Sequence, residues 1–215
     1  HLEVVALDGA PMAIRALRVS FVGELGWELY VPSECALMLY EQLHEAAASA
    51  PGAELRDRGY FAIDTLRLEQ GYRAWGHDLG LADTPLEAGL GFTVDWSKEF
   101  IGKAALAEQK AQGAAGLGQR VVSLHTQHVD LPIWGSEPIM RNGEVVGNVT
   151  SAGYAPSAGG QVAMGYVAHA DAGQKGFIGA GSYHIDVGGT LLPATAALRG
   201  VFDPKNRRVH GDYTA

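Results

Sequence analysis

Hydrophobic and polar positions alternate over residues 14–22, with Leu17, Val19 and Phe21 on one face and Arg18 and Ser20 on the other. They alternate again over 27–31, where Trp27, Leu29 and Val31 oppose Glu28 and Tyr30. Gly23-Glu24-Leu25-Gly26 lies between, and glycine accepts the positive φ of a tight turn. This pattern predicts an antiparallel hairpin. The opening residues, 1–5, also read as a strand. Helical spacing then takes over. Ala36, Leu39, Tyr40, Leu43 and Ala47 predict a helix over 34–48, entered through Ser33 as N-cap and broken by Pro51-Gly52. Tyr60, Ile63, Leu66 and Arg67 mark a second helix over 59–69. Thr84-Pro85-Leu86-Glu87 has the form of a capping box and predicts another helix start. Phe92, Val94 and Trp96 alternate as a strand, and 101–110 returns to helical spacing.

The pattern changes at the glycine-rich segment 113–118. From Arg120 on the signals are almost all strands: 121–124, 138–140, 145–150, 161–167 and 183–187. Asn142-Gly143 suits a type I′ hairpin turn. Short strands at regular spacing point to a small antiparallel barrel or sandwich. The expected fold class is therefore α+β: a mixed part over 1–112, a linker over 113–119 and an all-β part over 120–215.

Composition narrows the function. A chain of 215 residues holds one large or two small domains. Its net charge of −8 argues against general nucleic-acid binding, which needs a basic face. No apolar run approaches the ~20 residues of a membrane helix. The single cysteine, Cys35, rules out an internal disulfide and points to a reducing compartment. Asn148-Val149-Thr150 matches a glycosylation sequon and reads as chance. His125 and His128 stand three apart at a strand end, which does not aim both rings at one ion, so no metal is expected. No phosphate-binding glycine loop and no nucleophilic serine elbow occurs. The start lacks Met and a leader pattern, so the chain is expected to begin inside a longer protein.

Two clusters carry candidate chemistry. Glu28 is a strand carboxylate flanked by Trp27 and Leu29, with Phe21 on the opposite strand. It reads either as a solvated strand residue or as an acceptor for the paired N–H edge of a flat heterocycle such as a pterin, with aromatic neighbours for stacking. Residues 73–78, Arg-Ala-Trp-Gly-His-Asp, read either as a pocket wall around Trp75 or as an ordinary capped loop.

Taken together, these segments resemble the glycine-cleavage T-protein aminomethyltransferase family. The resemblance rests on 21–32, on Asp64-Thr-Leu-Arg-Leu-Glu69 and on Thr84-Pro-Leu-Glu87, and it covers nearly the whole chain. The wording of 71–79 and 84–90 is closer to the C-terminal folate region of dimethylglycine and sarcosine dehydrogenases. Residues 135–139 and 143–154 resemble that family's β-barrel domain. The resemblance implies a partial aminomethyltransferase-like folate-binding domain followed by a small barrel. It implies tetrahydrofolate as the small-molecule partner, with Glu28 on the pterin ring and Phe21 and Trp75 beside it. Ile63 stands where the transferases usually carry arginine, which favours the dehydrogenase branch. Phe21 stands where the folate-dependent dehydrogenases carry Tyr, which removes a hydroxyl. The family's catalytic aspartate and the dehydrogenases' FAD domain lie upstream of these motifs. No catalytic residue is therefore assigned here, and this piece alone is expected to turn over no substrate. The alternatives are a T-protein piece or a non-catalytic folate-binding module. The protein partner is left open between an oligomer and the N-terminal half. The expected location is cytoplasmic, or the mitochondrial matrix in a eukaryote.

Overall fold

The hairpin read from alternation exists, but its first strand, expected over 14–22, runs over Ala10–Leu17 and so ends five residues early. The computed structural model describes residues 2–7 and 10–214. Strand β1 (Leu2–Leu7) pairs antiparallel with β2 (Ala10–Leu17), which pairs with β3 (Glu28–Tyr30). Arg15 lies opposite Tyr30, Ala16 opposite Leu29 and Leu17 opposite Glu28. The strand ends at Leu17, whose carbonyl accepts a bond from the Val19 N–H at 3.1 Å, a turn of three residues. Local bonds then replace the ladder: the Glu24 N–H donates to Ser20 Oγ at 3.2 Å, and Arg18 Nη1 donates to the Gly26 carbonyl at 3.1 Å. The expected apolar face of Leu17, Val19 and Phe21 is thus not formed. The buried positions are Ile14 and Ala16, one residue out of phase.

Helix α1 (Ala36–Ser49) follows a short 3₁₀ turn at Ser33–Cys35 and buries Leu39. Ile14 and Leu39 form a small core with Val31 and Met38 packed on it. These elements belong to one compact unit, residues 1–63 with 206–215. Residues 64–205 form the other.

The second unit starts within helix α2 (Tyr60–Glu69) and continues through a long irregular stretch to α3 (Lys103–Ala111). The Thr84–Glu87 capping box is made, with Thr84 Oγ1 donating to Glu87 Oε2 at 2.8 Å and the Glu87 N–H returning a bond to Thr84 Oγ1 at 3.2 Å. No α-helix grows from it. Gly89 takes φ +70°, which breaks the right-handed run, and a 3₁₀ turn occupies Gly91–Thr93. The strand expected at 92–96 is also absent: Asp95 Oδ1 accepts from the Ser97 N–H and hydroxyl, which makes a turn instead. The segment 113–119 lies inside this unit. A 3₁₀ turn spans Gly113–Gly116, and a Cβ at Gly116 would stand 2.3 Å from the Gln109 carbonyl oxygen.

The barrel is formed by β4 (Gln119–Thr126), β5 (Pro138–Arg141), β6 (Glu144–Tyr154), β7 (Gln161–Ala168), β8 (Tyr183–Val187) and β9 (Thr190–Ala197). It closes in the order β4-β7-β6-β5-β8-β9, with β9 returning to β4 at Leu124 opposite Ala196. Asn142 and Gly143 both take positive φ, the type I′ turn expected from their sequence. Strand β7 is buried on both faces. Ala163 and Val167 join Val122, Leu124, Ile139 and Ile185 in the interior. Val162, Met164 and Tyr166 pack outward on Val121 and Leu68.

Candidate functional site

In the first unit, one exposed carboxylate at the start of a short strand is bonded by a tyrosine. Glu28 and Tyr30 are exposed on β3, and Trp27 is exposed just before it. Tyr30 lies two residues on and so shares its face. Its hydroxyl donates to Glu28 Oε2 at 2.7 Å, and this bond, with the carboxylate's charge, raises the Tyr30 phenol above its ordinary 10.0. Phe21 is about half exposed in the 18–27 loop. That loop is braced from the C-terminal segment. Arg18 donates to the Val209 carbonyl, Arg208 Nη1 reaches Glu24 Oε1 at 3.1 Å, and the Arg18 guanidinium sits 5.7 Å from the Trp27 ring centre. Gly26 is needed here: a Cβ would stand 2.8 Å from the Val19 carbonyl oxygen. An ionised carboxylate accepts about four hydrogen bonds through its two oxygens. With Tyr30 on Oε2, Glu28 retains capacity for two parallel N–H donors, and the exposed rings of Tyr30, Trp27 and Phe21 in the same unit are of the type that stacks on a flat ring. The residues present therefore fit a pterin.

In the second unit, Trp75 does not line a wall of buried side chains. It is 70% exposed, in the turn where Gly76 has φ +85° and its N–H meets the Leu79 carbonyl at 2.9 Å. The interior residue of this segment is Asp78. Its Oδ2 accepts from Arg67 Nη1 and from the Ala74 N–H at 3.0 Å; its Oδ1 accepts from the Thr150 hydroxyl and from Ser151 Oγ at 2.5 Å. Tyr166 Oη donates to the Asp78 carbonyl at 2.9 Å. Arg67 also holds Asp64 at 2.7 Å and the Tyr72 carbonyl at 3.1 Å. Glu69 Oε1 takes the Ser157 and Ala158 N–H groups at 2.8 and 3.0 Å. Arg67, Glu69 and Asp78 are each at most 1% exposed. The network ties the end of α2 and the 71–80 loop to β6 and β7. Its one signal in the sequence is Arg67, a charge recurring on the apolar face of α2. Burial pushes the Tyr166 phenol well above its ordinary value, and the nearby charge of Asp83 adds to this. Among the described residues no group of three or more His, Cys, Asp or Glu could hold a metal. None of the described helices is long and apolar enough to cross a membrane.

Comparison with known proteins fits this architecture. Human sarcosine dehydrogenase, mitochondrial, is 41% identical over 213 residues, covering 96% of this chain and 22% of that protein. Human dimethylglycine dehydrogenase, mitochondrial, is 39% identical over 168 residues, covering 77% of this chain and 19% of that protein. The crystal structure of the glycine cleavage system aminomethyltransferase T from Bartonella henselae superposes with a TM-score of 0.69 at 30% identity, covering 84% of this chain and 47% of that one. The chain thus spans about a fifth of the dehydrogenases and about half of the transferase. Family models match along its length, the GCVT N-terminal domain over residues 1–98 and the glycine cleavage T-protein C-terminal barrel domain over 119–203. With a closed six-stranded barrel behind an α+β segment that carries these motifs, the chain belongs to the glycine-cleavage T-protein family.

Proposed function

We propose that this chain is the tetrahydrofolate-holding portion of a flavin-dependent dehydrogenase acting on an N-methylated glycine of the sarcosine or dimethylglycine type. The observation that carries the reading is Glu28, a carboxylate exposed on β3 between Trp27 and Tyr30, with acceptor capacity beyond the Tyr30 bond. Its two oxygens receive the paired N–H edge of the pterin, and Trp27 and Phe21 offer faces to the ring. Tetrahydrofolate, when bound, supplies the nitrogens that accept a one-carbon unit. Glu28 contributes by fixing the ring's orientation, which is catalysis by positioning. Trp75, the other aromatic position that the family resemblance assigns to the folate, is exposed in the 71–80 loop. FAD belongs to a domain outside this chain, and the location is the mitochondrial matrix of a eukaryote or the cytoplasm of a bacterium. Support comes from the identity to sarcosine dehydrogenase along nearly the whole chain. The likeness to aminomethyltransferase T favours a second reading, transfer of an aminomethyl group from a lipoyl carrier. A full-length protein that oxidises sarcosine or dimethylglycine with bound flavin supports the first; one that releases aminomethyl from a lipoyl carrier supports the second.

The site itself is tested by Glu28→Gln in a full-length protein containing this chain. The amide keeps one acceptor and turns a donor toward the ligand's own N–H. Losing a charge-assisted contact and leaving a donor unpaired costs roughly 2–4 kcal/mol, or about 30- to 1000-fold in affinity. Flavin reduction by the amine should stay nearly unchanged. A solvated strand residue predicts the opposite: a stability shift within about 0.5 kcal/mol and unaltered binding. Equal dissociation constants for tetrahydrofolate in parent and variant, measured by calorimetry, would remove Glu28 from the site.

A further inference from the structure

We infer that a groove beside α3 in the second unit binds a small organic carboxylate. The groove holds about 350 Å³ and is bounded by α3, the 86–92 turns and the start of β4. Binding sites for small molecules begin at about 300 Å³. Two cations line it, Lys110 and Arg120, and none of its lining residues is acidic. Neither cation is ion-paired among the described residues. Leu86, Phe92 and Leu117 give it apolar walls, and Gly89 leaves one side bare. That glycine cannot be enlarged cheaply: at φ +70° a Cβ would stand 2.9 Å from Arg73 Nη2.

The polar atoms at this groove are half satisfied. Arg120 Nη1 donates to the Leu86 carbonyl at 3.2 Å, while its Nε is buried without an acceptor. Gln109 Nε2 donates to the Gly116 carbonyl at 3.0 Å, while its Oε1 is buried without a donor. Arg73 behind Gly89 has a buried Nε in the same condition. Buried polar atoms are nearly always paired, so Arg120 Nε and Gln109 Oε1, both on lining residues, have hydrogen-bonding capacity to offer a ligand of this groove. Burial lowers the pKa of both guanidinium groups, and the charge of Arg120 adds to the cost of keeping Arg73 charged. Tyr166 and then Asp78 offset this at Arg73 in part, but Asp78 is already bonded to Arg67, Ala74, Thr150 and Ser151. A water molecule would satisfy Arg120 Nε and leave the cationic charge uncompensated. A carboxylate does both, and the aliphatic and aromatic walls accept its apolar body. Lys110, whose Nζ lies 4.1 Å from the Trp96 ring centre, closes the mouth as a second donor. A hydroxyl or N–H on the same ligand would meet Gln109 Oε1.

The test is a titration of the intact chain with benzoate, with its neutral analogue benzamide and with inorganic phosphate, read by calorimetry. Benzoate should bind saturably at one site, about tenfold or more tighter than benzamide, because the charge-assisted contacts are lost in the amide. Phosphate should bind more weakly than benzoate, since the apolar walls give it nothing. Arg120→Gln should weaken benzoate roughly tenfold or more. Arg120 also holds Leu86, so the exposed Lys110→Gln serves as the variant that leaves the fold intact; it should weaken benzoate about three- to tenfold. Absence of saturable benzoate binding, equal affinity for benzoate and benzamide, phosphate binding as tightly as benzoate, or an unchanged constant in Lys110→Gln would each overturn the inference.

Discussion

Replacing Asp78 by Ala removes four bonds at once from a side chain that is 1% exposed. Two of the lost donors are hydroxyls, Thr150 and Ser151, and can turn to other acceptors; Thr150 already has the Met164 carbonyl at 3.2 Å. The Ala74 N–H and the Arg67 guanidinium cannot. Arg67 is buried and keeps only Asp64, which is half exposed, as its counter-charge. Breaking a buried ion pair from one side costs about 3–5 kcal/mol. Asp78→Asn is the informative comparison. Its amide oxygen can still accept from Arg67 and Ala74, while its NH₂ turns to the hydroxyls, which then act as acceptors. Only the charge is lost, and Asp64 softens that loss, so the cost should be about 1.5–3 kcal/mol. Urea unfolding followed by tryptophan fluorescence measures both. At a slope of about 2 kcal/mol per molar, Asp78→Ala should lower the midpoint by roughly 2 M and Asp78→Asn by roughly 1 M. Two variants within about 0.5 kcal/mol of the parent, or Asn as costly as Ala, would refute the argument that this carboxylate is the hub of the second unit.

The high-pH behaviour should be set in part by Tyr166. Its folded pKa is raised above the ordinary 10.0, so the unfolded chain loses the proton first and stability falls as pH rises above about 10. Tyr72 and Tyr183 are raised as well, so Tyr166→Phe should flatten this decline without abolishing it, as read from urea midpoints at about pH 9 and 11. An undiminished slope in the variant would show that Tyr166 ionises as in the unfolded chain. Gly160→Ala should cost on the order of 3 kcal/mol or more, because φ is +75° and the new Cβ would stand 2.1 Å from the Thr126 carbonyl oxygen. The neighbouring Gly159→Ala, at φ +73° with open space, should cost only about 1–2 kcal/mol. Equal losses in the two melting curves would mean that close approach at Gly160 contributes nothing.

Elements with their own periodicity were legible in the residues. Helices α1 and α2 lie within two residues of the spans their spacing predicts, and five barrel strands sit where apolar positions cluster. Asn142-Gly143 announces its turn because few residue pairs accept positive φ at both positions. The sixth strand, β9, has no such signal: Pro193 interrupts it, and along Thr190–Ala197 only Leu192 and Ala196 are buried. It exists because β8 and β4 offer it two ladders. The stretch 84–96 misled for the opposite reason. Its local signals, a capping box and an apolar alternation, are intact, but glycine at 89 and the Asp95 turn stop both from propagating.

The sequence by itself determined the class, α+β with an antiparallel all-β part, and it singled out Glu28 as a carboxylate in an aromatic setting. These follow from near neighbours, where side-chain period and turn chemistry act over a few residues. Periodicity left barrel and sandwich open, the resemblance implied the barrel, and the closed ladder bears it out; tertiary structure alone decided that Trp75 faces solvent while Asp78 three residues later is buried, and that Arg67 is fully enclosed. Asp78 draws its donors from positions 67, 74, 150 and 151, and the carboxylate groove joins positions 86, 89, 110 and 120. Such sites depend on which distant segments meet, and no pattern within either segment encodes the other's approach.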